Sequence, residues 1–371
     1  MLSYISDFHV IRPRYEKDHK AILEWIAKAH LRSAGSEPDL VKALLEDLKK
    51  IEVGTKKIQT RGTQLEDLEH ESWEAMSIFR LDQFPSGLGL TERTKRFTSE
   101  VSGLFEQFYP ENAFMPDHLI HVTCTGYSSP SGAQRIVSLR KATDSQVTHA
   151  YHMGCYGAFP AIQIGSGFLM SSPSDLTVDV VHTEMCSLHM NPSNHTKMQL
   201  IIESLFADGF IKYTLKKKRS KSSFQVIAFL EEIIPDSSQD MIWSCTDQCF
   251  SMEMSKEVPF KIAKELEAFL QRLAKKAGLS FEELLKNAVF AIHPGGPKII
   301  EQVTRLLSLN TWQVDHSFEI LKSCGNMSSA TMPHIWQKIL LDPEVKEGTF
   351  VVSMGFGPGL TLAASILQKQ G

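Results

Sequence analysis

Asn287-Ala288-Val289-Phe290-Ala291-Ile292-His293-Pro294-Gly295-Gly296-Pro297 sets the reading of this chain. A short apolar run, compatible with a strand buried on both faces, ends on a polar ring and a Pro/Gly turn. A helical pattern follows over 298–307. The same arrangement occurs earlier. The apolar run 118–124 ends at Thr125-Gly126 before a helical pattern over 131–139, and Met153-Gly154 leads through Cys155 into one over 156–170. Further helical spacing is read at 17–34, 37–52, 91–109, 198–206, 258–278, 281–286, 317–322 and 328–340. Strands are read at 176–181, 210–215 and 224–230. The strand–helix rhythm runs once to about residue 234 and again afterwards, the outline of a duplicated α/β protein with halves 1–234 and 235–371. No short sequence repeat underlies it.

The 371 residues are 42% hydrophobic and 22% charged, so a substantial core can form and disorder is not the default. Net charge is −4, which supplies no positive surface for a nucleic acid. The first residues lack a basic segment followed by a long apolar one, so a cytoplasmic location is expected. The uncharged run from Thr349 to Gln368 is about a membrane span long. Gly355-Phe356-Gly357-Pro358-Gly359 interrupts it, and two buried strands around a turn are expected instead of a span. The six cysteines contain no C-x-x-C pair, Cys245 and Cys249 make weak zinc ligands, and no metal is expected.

Three positions place a reactive or polar group where a strand or turn meets a helix. Cys155 lies at a helix start, where the helix dipole and orphan N–H groups favour a thiolate; a packed, inert cysteine is the alternative. His293 is either a satisfied core histidine or a catalytic ring at a strand end, where α/β proteins build sites. Asn326 in Gly325-Asn326-Met327-Ser328 either caps the next helix or aims its amide at a developing oxyanion. The run Lys216-Lys217-Lys218-Arg219-Ser220-Lys221 reads as a solvated hairpin tip or as a face for an acidic partner.

Four segments together resemble the type III polyketide synthases, the chalcone and stilbene synthase-like branch of the thiolase-fold condensing enzymes. They are Gly154-Cys155-Tyr156-Gly157-Ala158-Phe159, Ile292-His293-Pro294-Gly295-Gly296-Pro297, Gly325-Asn326-Met327-Ser328-Ser329-Ala330 and Gly355-Phe356-Gly357-Pro358-Gly359-Leu360-Thr361. Phe8-His9-Val10-Ile11-Arg12-Pro13 and Lys57-Ile58-Gln59-Thr60-Arg61 extend the similarity to the amino-terminal part. The resemblance implies a five-layered αβαβα thiolase-like fold and a homodimer. It makes Cys155 the acyl-carrying nucleophile, with His293 keeping it ionised and, beside Asn326, holding the thioester oxygen of a malonyl extender during decarboxylation. Lys57 and Arg61, with Lys56 as a substitute, match residues that meet coenzyme A phosphates. Phe206 and Met252 match gatekeeper positions, and Cys124, Cys186, His189 and Ser328 match the cavity lining. His189 there would contact a polar intermediate, act as a second acid/base, or reflect a match displaced by one or two residues. Cys124 and Cys186 look more like bacterial members than plant ones.

The implied substrates are acyl-CoA and malonyl-CoA, with no further cofactor. Two rivals stand beside iterative condensation and cyclisation. One is a single-condensation ketoacyl synthase III-like enzyme, for which the lysine-rich run would dock an acyl carrier protein. The other is a non-catalytic partner of the same fold.

Overall fold

The computed structural model describes residues 3–35, 38–55 and 57–371; Lys56 lies outside the described residues. The first part of the chain comprises β1 (Tyr4–Ile11), β2 (Tyr15–Asp18), α1 (His19–Ala34), α2 (Pro38–Thr55), β3 (Thr60–Thr63), α3 (Leu90–Phe108), β4 (His118–Thr123) and α4 (Gly132–Leu139). Next come β5 (Gln146–Tyr151), α5 (Ala158–Ser171), β6 (Thr177–Glu184), α6 (Lys197–Leu205), β7 (Gly209–Lys216), β8 (Ser223–Ile233), β9 (Met241–Cys245) and β10 (Phe250–Met254). The remainder holds α7 (Val258–Ala277), α8 (Phe281–Asn287), β11 (Val289–Ile292), α9 (Pro297–Leu306), α10 (Thr311–Cys324), α11 (Thr331–Leu341), β12 (Phe350–Gly357) and β13 (Thr361–Gln370).

Nine strands form one sheet in the order β11-β12-β13-β8-β1-β7-β6-β4-β5. Its two wings meet at β1 and β8, which pair through Tyr4 with Gln225 and Ile5 with Phe224, with Val226 N donating to Ser3 O at 2.9 Å beside them. Helices α5 and α11 fill the space between the wings: α5 packs on β4, β6 and β7 and also on β13, while α11 packs on β11, β7 and β1. Outside, α1, α3 and α4 cover one wing and α7 to α10 the other. This α–β–α–β–α arrangement is the thiolase-like layering.

Double burial explains why the central strands read as near-continuous apolar runs. In β4, Ile120 and Val122 face the central helices while Leu119 faces the outer ones. In β13, Leu362, Ala364 and Ile366 face outward while the alternate Ala363 and Leu367 face inward; the register shift between Ile366 and Leu367 is taken up by β8. β12 and β13 are the antiparallel pair expected around the Gly/Pro turn. Among the described residues no helix is long and apolar enough to cross a membrane.

Two features depart from the sequence pattern. β8, read as the end of a first half, pairs along its length with β13, so Ser223 opens the second wing. The basic run is not a hairpin tip, because β1 lies between β7 and β8 and the segment crosses the end of that strand.

Trp336 of α11 anchors the middle layer. It is fully buried, edge-on to Phe159 and Tyr213 at 6.0 Å each, and its Nε1 donates to Ser353 Oγ at 2.9 Å. Trp336→Ala should cost about 3–5 kcal/mol in urea unfolding. A change below about 1 kcal/mol would show that this layer does not hold the two wings together.

Candidate active site

The candidate site lies where β4, β6, β11 and β12 end. Cys155 sits in the 3₁₀ turn Gly154–Tyr156 that runs directly into α5. Gly154 has φ +73°, and a Cβ there would stand 2.8 Å from Cδ of Pro358. Beyond it, Gly355 and Gly357 of β12 press on Phe159 and Tyr156; a Cβ on Gly357 would lie 2.1 Å from Tyr156 Cδ1. These glycines let the second wing close on the cysteine turn without side chains between them.

Asn326 is held by its main chain, its N–H donating to Leu205 O at 2.9 Å and its carbonyl accepting from Ala207 N at 2.8 Å. Its Oδ1 accepts from Ser328 N at 2.9 Å, which leaves the amide N–H₂ for the cysteine. Burial pushes the Cys155 thiol up to about 12. Hydrogen bonds from Ser328 and Asn326 oppose this, and the Glu184 charge adds to it. Burial thus favours the neutral thiol over the thiolate.

His293 follows β11, and its N–H donates to Met354 O at 2.9 Å. The ring is 2% exposed, burial lowers its pKa to about 3, and among the described residues neither ring nitrogen has a partner. Two orphaned nitrogens in a buried place are costly unless a ligand atom completes them. Among the described residues no hydrogen bond joins the Cys155 sulfur to this ring.

One apolar cavity brings together Cys155, Cys124, Cys186, His189, Phe206, Met252 and Ser328. His293 and Asn326 are almost fully buried, and Asn326 holds the cavity residue Ser328 by accepting from its backbone N–H. Trp243 of β9 adds a wall held by its Nε1 donating to Cys124 O at 2.7 Å.

His189 is not an acid/base group. Its Nε2–H donates to Thr125 O at 2.8 Å, its Nδ1 accepts from Phe250 N at 3.0 Å, and its ring stacks on Phe250 at 4.5 Å. Burial lowers its pKa to about 3. It braces β10 against the end of β4 and offers the cavity only its ring.

Arg61 does not meet coenzyme A. Its side chain is buried, with Nη1 donating to Glu203 O at 2.6 Å and Phe206 O at 2.8 Å. Its stem supports Gly325, so it positions the loop that carries Asn326. Lys57 is at the surface, paired with Glu301 and 4.8 Å from the Phe318 ring centroid.

Glu184 is a site group that the sequence pattern does not single out, although a carboxylate ending a β-branched strand is the available signal. It accepts from Cys124 N at 3.1 Å, Thr125 Oγ1 at 2.9 Å and Ser329 Oγ. Burial raises its pKa. His182 bonds Ser329 Oγ and Tyr213 Oη, His195 bonds His30, and no metal-holding cluster occurs among the described residues. In the basic run, Lys216 pairs with Asp7, Lys218 with Asp175 and Arg219 with Glu347, so these three charges are locally balanced.

Residues 225–370 match the family model of the chalcone and stilbene synthases, C-terminal domain. "Probable polyketide synthase 1" of Dictyostelium discoideum is 25% identical over 258 residues, 68% of this chain but 8% of that protein. "Putative chalcone synthase" of Bacillus subtilis (strain 168) is 29% identical over 248 residues, 65% of this chain and 67% of that protein. The crystal structure of the C-terminal type III polyketide synthase domain of Steely1, a type I/III hybrid from Dictyostelium, superposes with a TM-score of 0.85. It is 20% identical and the match covers 100% of both chains.

A neutral thiol predicts that alkylation of Cys155, followed by peptide mass, rises about tenfold per pH unit between pH 7 and 10, with no plateau. A plateau near pH 7 that disappears in His293→Gln would instead demonstrate a preformed ion pair.

Proposed function

Given a chain whose residues 225–370 are a chalcone and stilbene synthase C-terminal domain on a type III polyketide synthase fold, we propose that it is an acyltransferase of the decarboxylative condensing type. Its substrates are an acyl-CoA starter and malonyl-CoA. The observation that carries the reading is the set around Cys155, a sulfur at a helix start, hydrogen-bonded to Asn326 and Ser328 and facing an apolar cavity, in a fold that also buries His293 with both ring nitrogens unpartnered among the described residues.

In the proposed cycle the Cys155 proton passes to His293 as the thiolate attacks the starter thioester, and CoA leaves. Malonyl thioester then places its carbonyl oxygen against the Asn326 amide and a His293 N–H. Loss of CO₂ leaves an enolate whose charge collects on that oxygen. Its carbon attacks the acyl–Cys155 carbonyl and the sulfur leaves as thiolate. Fixed donors stabilise developing charge without reorganisation, and removing one typically costs about 10²–10³ in rate. Repetition followed by ring closure is proposed, since the cavity encloses the growing chain away from water. Lys57, at the surface, is the proposed contact for a CoA phosphate. A homodimer and a cytoplasmic location are proposed with this reading. The cycle is complete with these side chains and the CoA thioesters and invokes no resident cofactor.

Incubation with acyl-CoA should add one acyl group to the intact mass, and Cys155→Ala should abolish it. An adduct surviving in Cys155→Ala rules out this assignment. Asn326→Ala should slow malonyl decarboxylation by about 10²-fold or more while leaving starter loading within a few-fold; equal loss of both would make Asn326 a structural residue.

A further inference from the structure

Three side chains that the condensation mechanism does not use form a line from the surface to the cavity wall. Helix α6 lines the cavity with Gln199, Ile202 and Glu203, and Phe206 follows on the same face, at the i, i+3, i+4, i+7 spacing of one helical stripe. Glu203 is the only member of that stripe with a carboxylate. Its Oε1 accepts from Asn191 N at 2.7 Å and Gln199 Nε2 at 2.8 Å. Its Oε2 stands 2.7 Å from Nε2 of His30, a fully buried residue of α1. The other nitrogen of the same ring, Nδ1, stands 3.2 Å from Nδ1 of His195, whose half-buried ring meets it edge-on with centroids 5.4 Å apart.

We propose that His195, His30 and Glu203 form a proton relay that carries solvent protons to the reaction cavity. The two opposed nitrogens of His30 make the line continuous, because an imidazole that gains a proton at one nitrogen can release one from the other. A proton taken up at His195 Nε2 leaves as His195 Nδ1–H toward His30 Nδ1. His30 Nε2–H then passes to Glu203 Oε2, and the chain resets when the rings turn back to their starting tautomers. Glu203 is ionised and ready to accept: burial works against its charge, but the His30 ring and the hydrogen bonds from Gln199 and Asn191 prevail and lower its pKa. The buried guanidiniums of Arg61 and Arg93 contribute to the same field.

The inference rests on the condensation reading, which creates the demand for protons. Each extension consumes one. Malonyl carboxylate departs as CO₂, leaving its electron pair to form the new carbon–carbon bond, and the acyl–Cys155 bond breaks to a thiolate. When the chain returns to Cys155, the CoA sulfur leaves with the negative charge and takes up the proton. The methionines, phenylalanines and tryptophan in the cavity wall offer no proton donor at neutral pH, whereas Glu203 brings a carboxylate to it. A strut between α1 and α6 would require only one hydrogen bond from His30; the second histidine on its far nitrogen is what a relay needs.

The test compares wild-type protein with His195→Ala and Glu203→Gln, using intact-mass loading of Cys155 and product formation at saturating malonyl-CoA. His195→Ala should load normally and form product about tenfold or more slowly, the scale of general acid–base assistance. Imidazole added to the buffer should restore its rate. Glu203→Gln, which keeps the shape of the side chain, should show the same loss without restoration by imidazole. An unchanged rate in His195→Ala, or a loss that imidazole fails to restore, overturns the relay. A wild-type protein that takes no acyl group from any thioester overturns the condensation reading and the relay with it.

Discussion

The backbone of β12 runs so close to the cysteine turn that hydrogen is the only side chain admitted at the contact. Gly357 lies against Tyr156, Gly355 against Phe159, and Pro358 against Gly154. This contact joins a nucleophile supplied before residue 223 to a histidine and an amide supplied after it. The sheet does little of this by itself, since among the described residues its wings are joined by two strand pairs and one adjoining hydrogen bond. The central helices set the spacing of the wings, and the glycines set how far the site closes.

Closing the site also sets its electrostatics. Burial disfavours charge on either partner, so the thiol moves up and the imidazole down. Among the described residues both His293 nitrogens are left unpartnered, an arrangement that stores unsatisfied hydrogen-bonding capacity for an incoming oxygen. Nearby polar side chains have the opposite character. Asn326 is fixed by its own Asx-type bond to Ser328, and Glu184 is bonded to Thr125, Ser329 and the Cys124 backbone. The site thus combines rigid groups with one ring kept free.

Elements with strong periodicity were legible. The helices over α1, α3, α7 and α11, and the strands β4, β6, β11 and the β12–β13 pair, lie close to their expected spans. Strands with a weak apolar signal were not. β1 carries Ser6, Asp7 and His9 with a register shift between Ser6 and His9, and β5 is an edge strand with exposed positions. Neither shows a clean apolar alternation: β1 is stabilised by β7, about 200 residues away, and β5 by β4 alone at the sheet edge. The position of β1 between β7 and β8 is likewise a tertiary fact, and it turns an apparent hairpin into a crossover.

Residue types and local breaks singled out Cys155, His293 and Asn326 as candidates, because a reactive group at a strand end or helix start is a short-range pattern. Tertiary structure alone decided what the remaining polar groups do. Arg61 has the look of a phosphate contact beside Lys57, yet it supports the Asn326 loop through carbonyls more than 140 residues away. His189 becomes a neutral brace because Thr125 and Phe250 occupy its two nitrogens. His30, His195 and Glu203 are unremarkable in sequence and become a line only when α1, α6 and the segment before α6 pack together. The physical reason is common to all of them. A side chain's charge and hydrogen-bonding role follow from its burial and its partners, and those partners are chosen by the fold across distances that local sequence does not encode.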